Sequence, residues 1–273
     1  MNKILTQAGY IAQSSNYHKP DFRSREYFEE RARAFNSARV ASKDGIECDI
    51  CGNKLLVQHV LELNGRFYEE CEKCACVAKR AELARLKKSG MKDAIEETGE
   101  FETQNEWQRI IKSRAEKFIT QSKSRCFFIG GQSGSGKTHI STLISKQLME
   151  QGRTLLYFKW LDLIKKLNDF DNDDRQALFE KASNVQVLYI DDMLKPRGGT
   201  DFTRSEIGTT FELIDRRYVN KSCITIISSE LTSQRIAAID GAMWRRIEEM
   251  AGEYITDIAK DTSKIFRRVD WGH

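Results

Sequence analysis

Gly131-Gln132-Ser133-Gly134-Ser135-Gly136-Lys137-Thr138 decides the fold of this chain, because it joins a wholly apolar run to an amphipathic helical one. Before it, Cys126 to Gly130 carries no charge, and after it Ile140, Leu143, Ile144 and Leu148 recur at helical spacing. The pattern G-x-x-x-x-G-K-[ST] between a strand and a helix is a phosphate-binding loop. Its glycines let successive backbone N–H groups turn inward onto phosphate oxygens, and the helix that follows directs its positive end at the same point. The expected ligand is a nucleoside triphosphate, ATP. Lys137 should reach the outer phosphates and the Thr138 hydroxyl should bind Mg²⁺. The candidate nucleotide ligands are therefore Gly131, Gln132, Ser133, Gly134, Ser135, Gly136, Lys137 and Thr138, with the stretch running on into His139.

Further along, Thr154 to Trp160, Val185 to Ile190 and Cys223 to Ile227 are apolar runs separated by stretches of helical periodicity. That alternation predicts an α/β domain around a buried parallel sheet. The run Val187-Leu-Tyr-Ile ends in Asp191-Asp192. A buried strand ending in a carboxylate can place it beside the Mg²⁺ held by Thr138, so Asp191 is the metal-side candidate. Asp192, on the opposite side of the strand, is then placed to orient or deprotonate an attacking water. Ser228-Ser229-Glu230 should emerge at the carboxyl edge of the sheet, where ligands of open α/β sheets bind. Two arginine pairs, Arg216-Arg217 and Arg245-Arg246, offer charge for a γ-phosphate, or else ordinary surface ion pairs.

The amino-terminal third has another character. From Ser24 to Val40, Phe28, Ala32, Phe35 and Ala38 share a helical face, a face that packs on its own domain or docks on a partner. Five of the seven cysteines then fall between Cys48 and Cys76. Cys48-x-x-Cys51 and Cys71-x-x-Cys74, separated by a hairpin-length stretch, have the spacing at which four thiolates enclose a tetrahedral Zn²⁺. Cys76 can replace Cys74 as fourth ligand, and His59 is a weaker substitute. Four thiolates leave no position open for water, so such a zinc folds the module and does not catalyse. A basic helix with Lys79, Arg80, Arg85, Lys87 and Lys88 follows, and the polar stretch from Gly90 to Gln104 reads as the junction. The expected organisation is a helical and zinc-binding domain over 1–92, a linker over 93–105 and a nucleotide-binding domain over 106–273.

Composition excludes several classes. Hydrophobic residues make up 40% of the 273 and charged ones 31%, with no apolar run near the about 18 residues of a membrane span. The first residues lack the apolar core and cleavage site of a secretory signal, which predicts a cytoplasmic protein with reduced thiols and no membrane partner. A net charge of +4 is compatible with nucleic acid without arguing for it. The segment from Lys195 to Phe202 mixes basic, flexible and aromatic residues, the ingredients of a single-strand contact or of a plain solvated loop.

Taken in order, FFIGGQSGSGKTH, VLYIDDM, IDRRY, TIISSEL and WRRIEEM resemble the DnaC-type replicative helicase loaders, an AAA+ group that includes DnaI and the IstB transposition ATPases. The resemblance implies a P-loop AAA+ core with a five-stranded parallel sheet and no carboxyl-terminal lid, and an ATPase. It also implies that the amino-terminal domain grips a hexameric replicative DNA helicase while the ATPase domain touches single-stranded DNA, with ATP-dependent self-association possible. A transposition helper acting on duplex DNA is the alternative. On the same resemblance Lys137 and Thr138 serve the phosphates, Asp191 and Asp192 form the acidic pair, Arg217 is a finger acting on a neighbouring copy and Arg246 a second sensor. Where the family often has a sensing asparagine, this chain has Ser229 and Glu230.

Overall fold

The computed structural model describes residues 24–99, 101, 103–121, 123–168, 173–195 and 202–261, and Pro196 to Asp201 of the expected DNA-contact segment lie outside them. The chain divides into two compact units at Ala81 and Glu82.

In the first unit, α1 (Arg25–Ser37) starts at Ser24, whose hydroxyl accepts the Tyr27 N–H at 3.2 Å, and it buries Ala32. Strands β1 (Leu56–Leu63) and β2 (Arg66–Lys73) form the expected antiparallel hairpin, closed at Asn64-Gly65, where both residues take the positive φ that such turns need. Helix α2 (Cys76–Ser89) begins here and carries the chain across the boundary between the units.

The second unit continues through α3 (Lys92–Glu96), α4 (Glu106–Gln121), β3 (Cys126–Gly131), α5 (Lys137–Glu150), β4 (Leu155–Lys159), α6 (Trp160–Leu167) and α7 (Asp173–Asn184). Then come β5 (Val187–Asp191), α8 (Arg204–Val219), β6 (Ile224–Ser228), α9 (Ser233–Ile239), α10 (Gly241–Ala251) and β7 (Ile255–Ile258). Five parallel strands lie in the order β4-β5-β6-β3-β7.

Side-chain alternation sorts these strands between two cores. Phe127, Ile129, Leu155, Val187, Tyr189, Ile226 and Ile258 face one way, toward α4 and α5. Cys126, Phe128, Leu156, Leu188, Ile190 and Ile227 face the other, toward α6 through α10. Because both faces are covered, β3, β5 and β6 are almost wholly buried and β4 is largely apolar, which is why these four stand out in the sequence. The order also puts a switch point at β3, because the chain leaves it for the far edge at β4 and returns to its other side only at β7. Ligand crevices form at such points.

The boundary differs from the expected one. The segment from Gly90 to Gln104 is polar, but Met91 is fully buried and Phe101 nearly so, both in the core beneath α4 and α5. Two apolar anchors, with α3 between them, tie what reads as a linker to the second unit.

Candidate nucleotide and metal sites

The loop leaves β3 through Gly131, whose φ of +108° and contact with the Ile258 carbonyl leave no room for a Cβ. It enters α5 at Gly136, held in the left-handed region with φ 81°. Ser135 Oγ donates to the Gln132 carbonyl at 2.7 Å, closing the turn on itself. Lys137 Nζ donates to the carbonyls of Gly131 at 3.0 Å and Gln132 at 2.7 Å, so the ammonium lies across the loop mouth. Burial lowers its pKa, and the carboxylates of Glu230, Asp192 and Asp191 oppose that shift. Ser133 is exposed at the tip with Gly134 half-buried beside it, and the Gln132 side chain accepts from the Asp261 N–H. The His139 ring turns away, with Nε2 2.9 Å from the Gly99 carbonyl and the ring edge-on to Phe101, which makes the side chain a brace and leaves only the backbone N–H of the first helical turn for a phosphate.

Asp191 is where the elements converge. Its buried carboxylate accepts from Thr138 Oγ1 at 3.0 Å, Tyr189 OH at 2.8 Å, Tyr157 OH at 3.3 Å and the Ser228 hydroxyl. Thr138 and Asp191 therefore form the pair of oxygens expected to hold Mg²⁺. Alternation explains the rest of the group. Tyr189 precedes Asp191 by two residues on the same face, and Tyr157 is its register partner on β4. Ser228 follows Ile226 by two, which turns it to the α5 face with them. Ser229, the expected sensor, has the opposite parity. Its hydroxyl donates to the Met193 carbonyl at 2.7 Å and accepts from the Leu231 N–H at 3.0 Å, so it braces two turns and never meets the acids. Tyr189 was recoverable from the sequence by counting back two from Asp191, and Ser228 was already placed at the carboxyl edge of the sheet, whereas Tyr157 was not recoverable. Asp192, just past the strand with φ 54°, receives Lys195 Nζ at 2.8 Å.

Neither expected arginine reaches this group. Arg217 is fully buried at the far end of the sheet, where Nε donates to Thr225 Oγ1 and the two Nη atoms to the carbonyls of Ala182, Ser183, Val185 and Ile224. A guanidinium so enclosed cannot act on a neighbouring copy. Arg246 stacks over Phe211 and Tyr218 and pairs with Asp215, which fixes it against α8 and not over the phosphate loop. Arg216 is half exposed and bridges Glu180 and Glu212.

In the first unit the sulfurs of Cys48, Cys51, Cys74 and Cys76 lie within 4.8 Å of one another. Cys48 and Cys74 are 3.8 Å apart and Cys51 and Cys76 3.6 Å. Zn–S bonds of about 2.3 Å at tetrahedral angles put sulfurs about 3.8 Å apart, so the four fit that ion. This corrects the ligand set, since Cys76 stands with Cys74 and replaces Cys71, not Cys74. Cys71 lies inside β2 opposite Gln58, exposed on the hairpin, whereas Cys74 follows the strand end and Cys76 opens α2, where the chain bends back. Burial, then the adjacent Cys51 and Cys74 sulfurs, push the Cys76 thiol up to about 12. Only a cation in their midst would let all four ionise together. Arg80, one turn on in α2, favours the Cys76 thiolate and pairs with Asp44. His59 lies outside the cluster, 3.1 Å from Glu70.

Comparison with known proteins agrees with this geometry. Residues 52–241 match the family described as IstB-like ATP binding protein. The chain is 32% identical over 219 residues to the uncharacterized protein YqaM of Bacillus subtilis (strain 168), covering 73% of this chain and 67% of that one. It is 27% identical over 241 residues to XkdC, a protein of the phage-like element PBSX in the same organism, covering 83% and 86%. Over 126 residues it is 25% identical to the replicative helicase loader DnaC of Escherichia coli (strain K12), covering 44% of this chain and half of that one. Among the described residues no helix is long and apolar enough to cross a membrane. Because the matched span runs from the hairpin through the loop, the acidic strand and the polar tip of β6, the likeness is not that of an isolated motif, and the chain belongs to the IstB-like ATP binding proteins, P-loop ATPases of the AAA+ class.

Proposed function

We propose that this protein is an ATP-switched loader that holds a hexameric replicative DNA helicase and delivers it to single-stranded DNA. What carries the reading is the pairing of a nucleotide switch with a separate four-thiol unit in a chain with similarity to a protein named as a replicative helicase loader. Loading needs a part that grips a partner and a part whose shape depends on nucleotide, and the two compact units offer that division. In this scheme the phosphate loop and Lys137 bind ATP. Thr138 and Asp191 would hold Mg²⁺, which when bound supplies positive charge against the phosphates. Tyr157, Tyr189 and Ser228 fix the Asp191 carboxylate by hydrogen bonds. Asp192 takes the proton of the attacking water. Cys48, Cys51, Cys74 and Cys76 would hold Zn²⁺ as the staple of the gripping unit. ATP-dependent self-association, and a position in the cytoplasm, belong to the same reading.

The deciding experiment mixes the purified full chain with the replicative helicase of its host, in ATP or ADP and with or without single-stranded oligonucleotide. A helicase complex whose release onto the oligonucleotide follows the nucleotide is expected. Failure to form a helicase complex with either nucleotide would sink the reading, and ATP-dependent oligomers on duplex DNA would point to the transposition-helper class.

A further inference from the structure

Three charged residues just beyond the strand ends take no part in holding Asp191. Asp192 follows β5, Glu230 lies two residues past β6, and Lys195 Nζ sits between them, 2.8 Å from Asp192 Oδ2 and 3.3 Å from Glu230 Oε1. Strand β6 neighbours both β5 and β3, so this trio stands beside the phosphate loop. Lys137 feels Glu230, Asp192, Asp191 and Lys195 together, which makes the five groups one charged cluster.

Charge in that cluster is unbalanced. Three carboxylates face two ammonium groups, and the terminal phosphate of ATP would add negative charge beside Asp192 and Glu230. Lys137 and the Mg²⁺ that Thr138 and Asp191 would hold meet part of it, and a further cation beside Asp192 and Glu230 would meet the rest. Of the arginines expected in that role, Arg217 is enclosed at the far end of the sheet and Arg246 is bound to Asp215. Lys195 is already there. The turn that presents it is tightly built: Asp192 and Leu194 take φ of 54° and 55°, Met193 and Leu194 are fully buried, and the Met193 N–H donates to the Ser228 carbonyl at 2.8 Å. The backbone of the arm is therefore fixed, while the Lys195 side chain, 38% exposed, carries its ammonium on a flexible four-carbon stem.

We propose that Lys195 binds the γ-phosphate of ATP in exchange for Asp192 and Glu230, and so couples recognition of the triphosphate to release of the catalytic acid. With ADP the ammonium stays on Asp192 and holds its Oδ2, so that oxygen is not turned to a water. With ATP the ammonium moves to the γ-phosphate and Asp192 becomes free. A water oxygen then bonds to the γ-phosphorus as the bridging bond to the β-phosphate breaks. Asp192 takes the water's proton and passes it to the leaving phosphate, so ADP and inorganic phosphate account for every atom. The inference rests on the nucleotide site and not on the identity of the partner.

The test compares the affinity of the full chain, with magnesium, for ADP and for the non-hydrolysable β,γ-imido analogue of ATP. A γ-phosphate contact through a charged hydrogen bond corresponds to about tenfold in affinity. Lys195→Met should therefore weaken the imido analogue about tenfold, leave ADP within about twofold and lower kcat, whereas Lys195→Arg keeps the discrimination. A purely structural pin would move both nucleotides alike, and a Lys195→Met protein that does so, or that binds both as the parent does, overturns the proposal unless the turn itself has failed. Glu230→Gln settles that case. By releasing one partner of Lys195 it should raise the preference for the imido analogue over ADP, and an unchanged or reduced preference overturns the proposal.

Discussion

Arg217 and Tyr189 illustrate how burial assigns work to a side chain. Burial lowers the Arg217 pKa to about 10, which still leaves it charged at neutral pH, and the charge is met by four carbonyl oxygens and a hydroxyl. Removing the guanidinium strands those carbonyls in a closed space. Arg217→Ala should cost about 3–5 kcal/mol, read as a lower urea midpoint, and Arg217→Lys should restore little because one ammonium cannot reach the same acceptors. Nucleotide affinity per folded molecule should stay unchanged, and a selective loss of hydrolysis without loss of stability would return Arg217 to a catalytic role. Tyr189 works on the acid itself. Burial, and then Asp191, raise its pKa well above the ordinary value, so the phenol remains the neutral donor as pH rises. Tyr189→Phe deletes the 2.8 Å bond and should raise the half-saturating Mg²⁺ for ATPase activity about tenfold. The parent enzyme should show no loss assignable to this phenol up to about pH 10, the ordinary value from which it is raised.

At the level of elements, the phosphate loop is as much a piece of the sheet as a ligand site. Gly131 pairs with Ile258 across β3 and β7, and a methyl group there would strike the Ile258 carbonyl at a φ that L-residues avoid. Gly131→Ala should lower the melting temperature and nucleotide affinity together, with about 2–4 kcal/mol lost from stability. Retained stability with lost binding would mean that the strand end tolerates the strain and only the loop does not. Strands β3, β4, β5 and β6 were legible in the sequence because both faces are covered, which turns each into an unbroken apolar run. Strand β7, Ile-Thr-Asp-Ile at a sheet edge, offers no such run. The acid pair and the loop were legible because their chemistry demands fixed spacing. Tyr157 was not, since its link to Asp191 exists only through the register of β4 on β5. The cysteines misled for a related reason: two C-x-x-C steps suggest two equivalent corners, but pairing carries β2 straight through Cys71, and the bend that gathers thiols comes only after Lys73.

Across the whole molecule, stability is distributed unevenly between the units. In the second, aromatic and aliphatic side chains fill both faces of a five-stranded sheet. In the first, the described apolar residues that are buried are Ala32 and two cysteines of the four-thiol cluster, Cys51 and Cys74, while Ile50, Leu55, Leu56, Leu61, Leu63 and Tyr68 stay exposed. A unit of that size with so small a core needs a staple to fold, and the four-thiol cluster is the one at hand. Stripping metal from the full chain with a strong chelator should therefore open residues 24–81 to protease while ADP affinity changes by less than about twofold, because the described hydrogen bonds of Lys137 and Asp191 all lie within the second unit. Alkylation resolves the same question atom by atom. In the metal-loaded protein Cys71, exposed on its strand, should react first, and after stripping Cys48, Cys51, Cys74 and Cys76 should follow. Cys126 and Cys223 should stay protected throughout, both being buried and the Cys126 thiol pushed up to about 12 by that burial. Cys71→Ser should keep its zinc and Cys76→Ser should lose it. The reverse pattern would restore the ligand set suggested by spacing alone, and loss of ADP binding on stripping would mean that the two units do not fold independently.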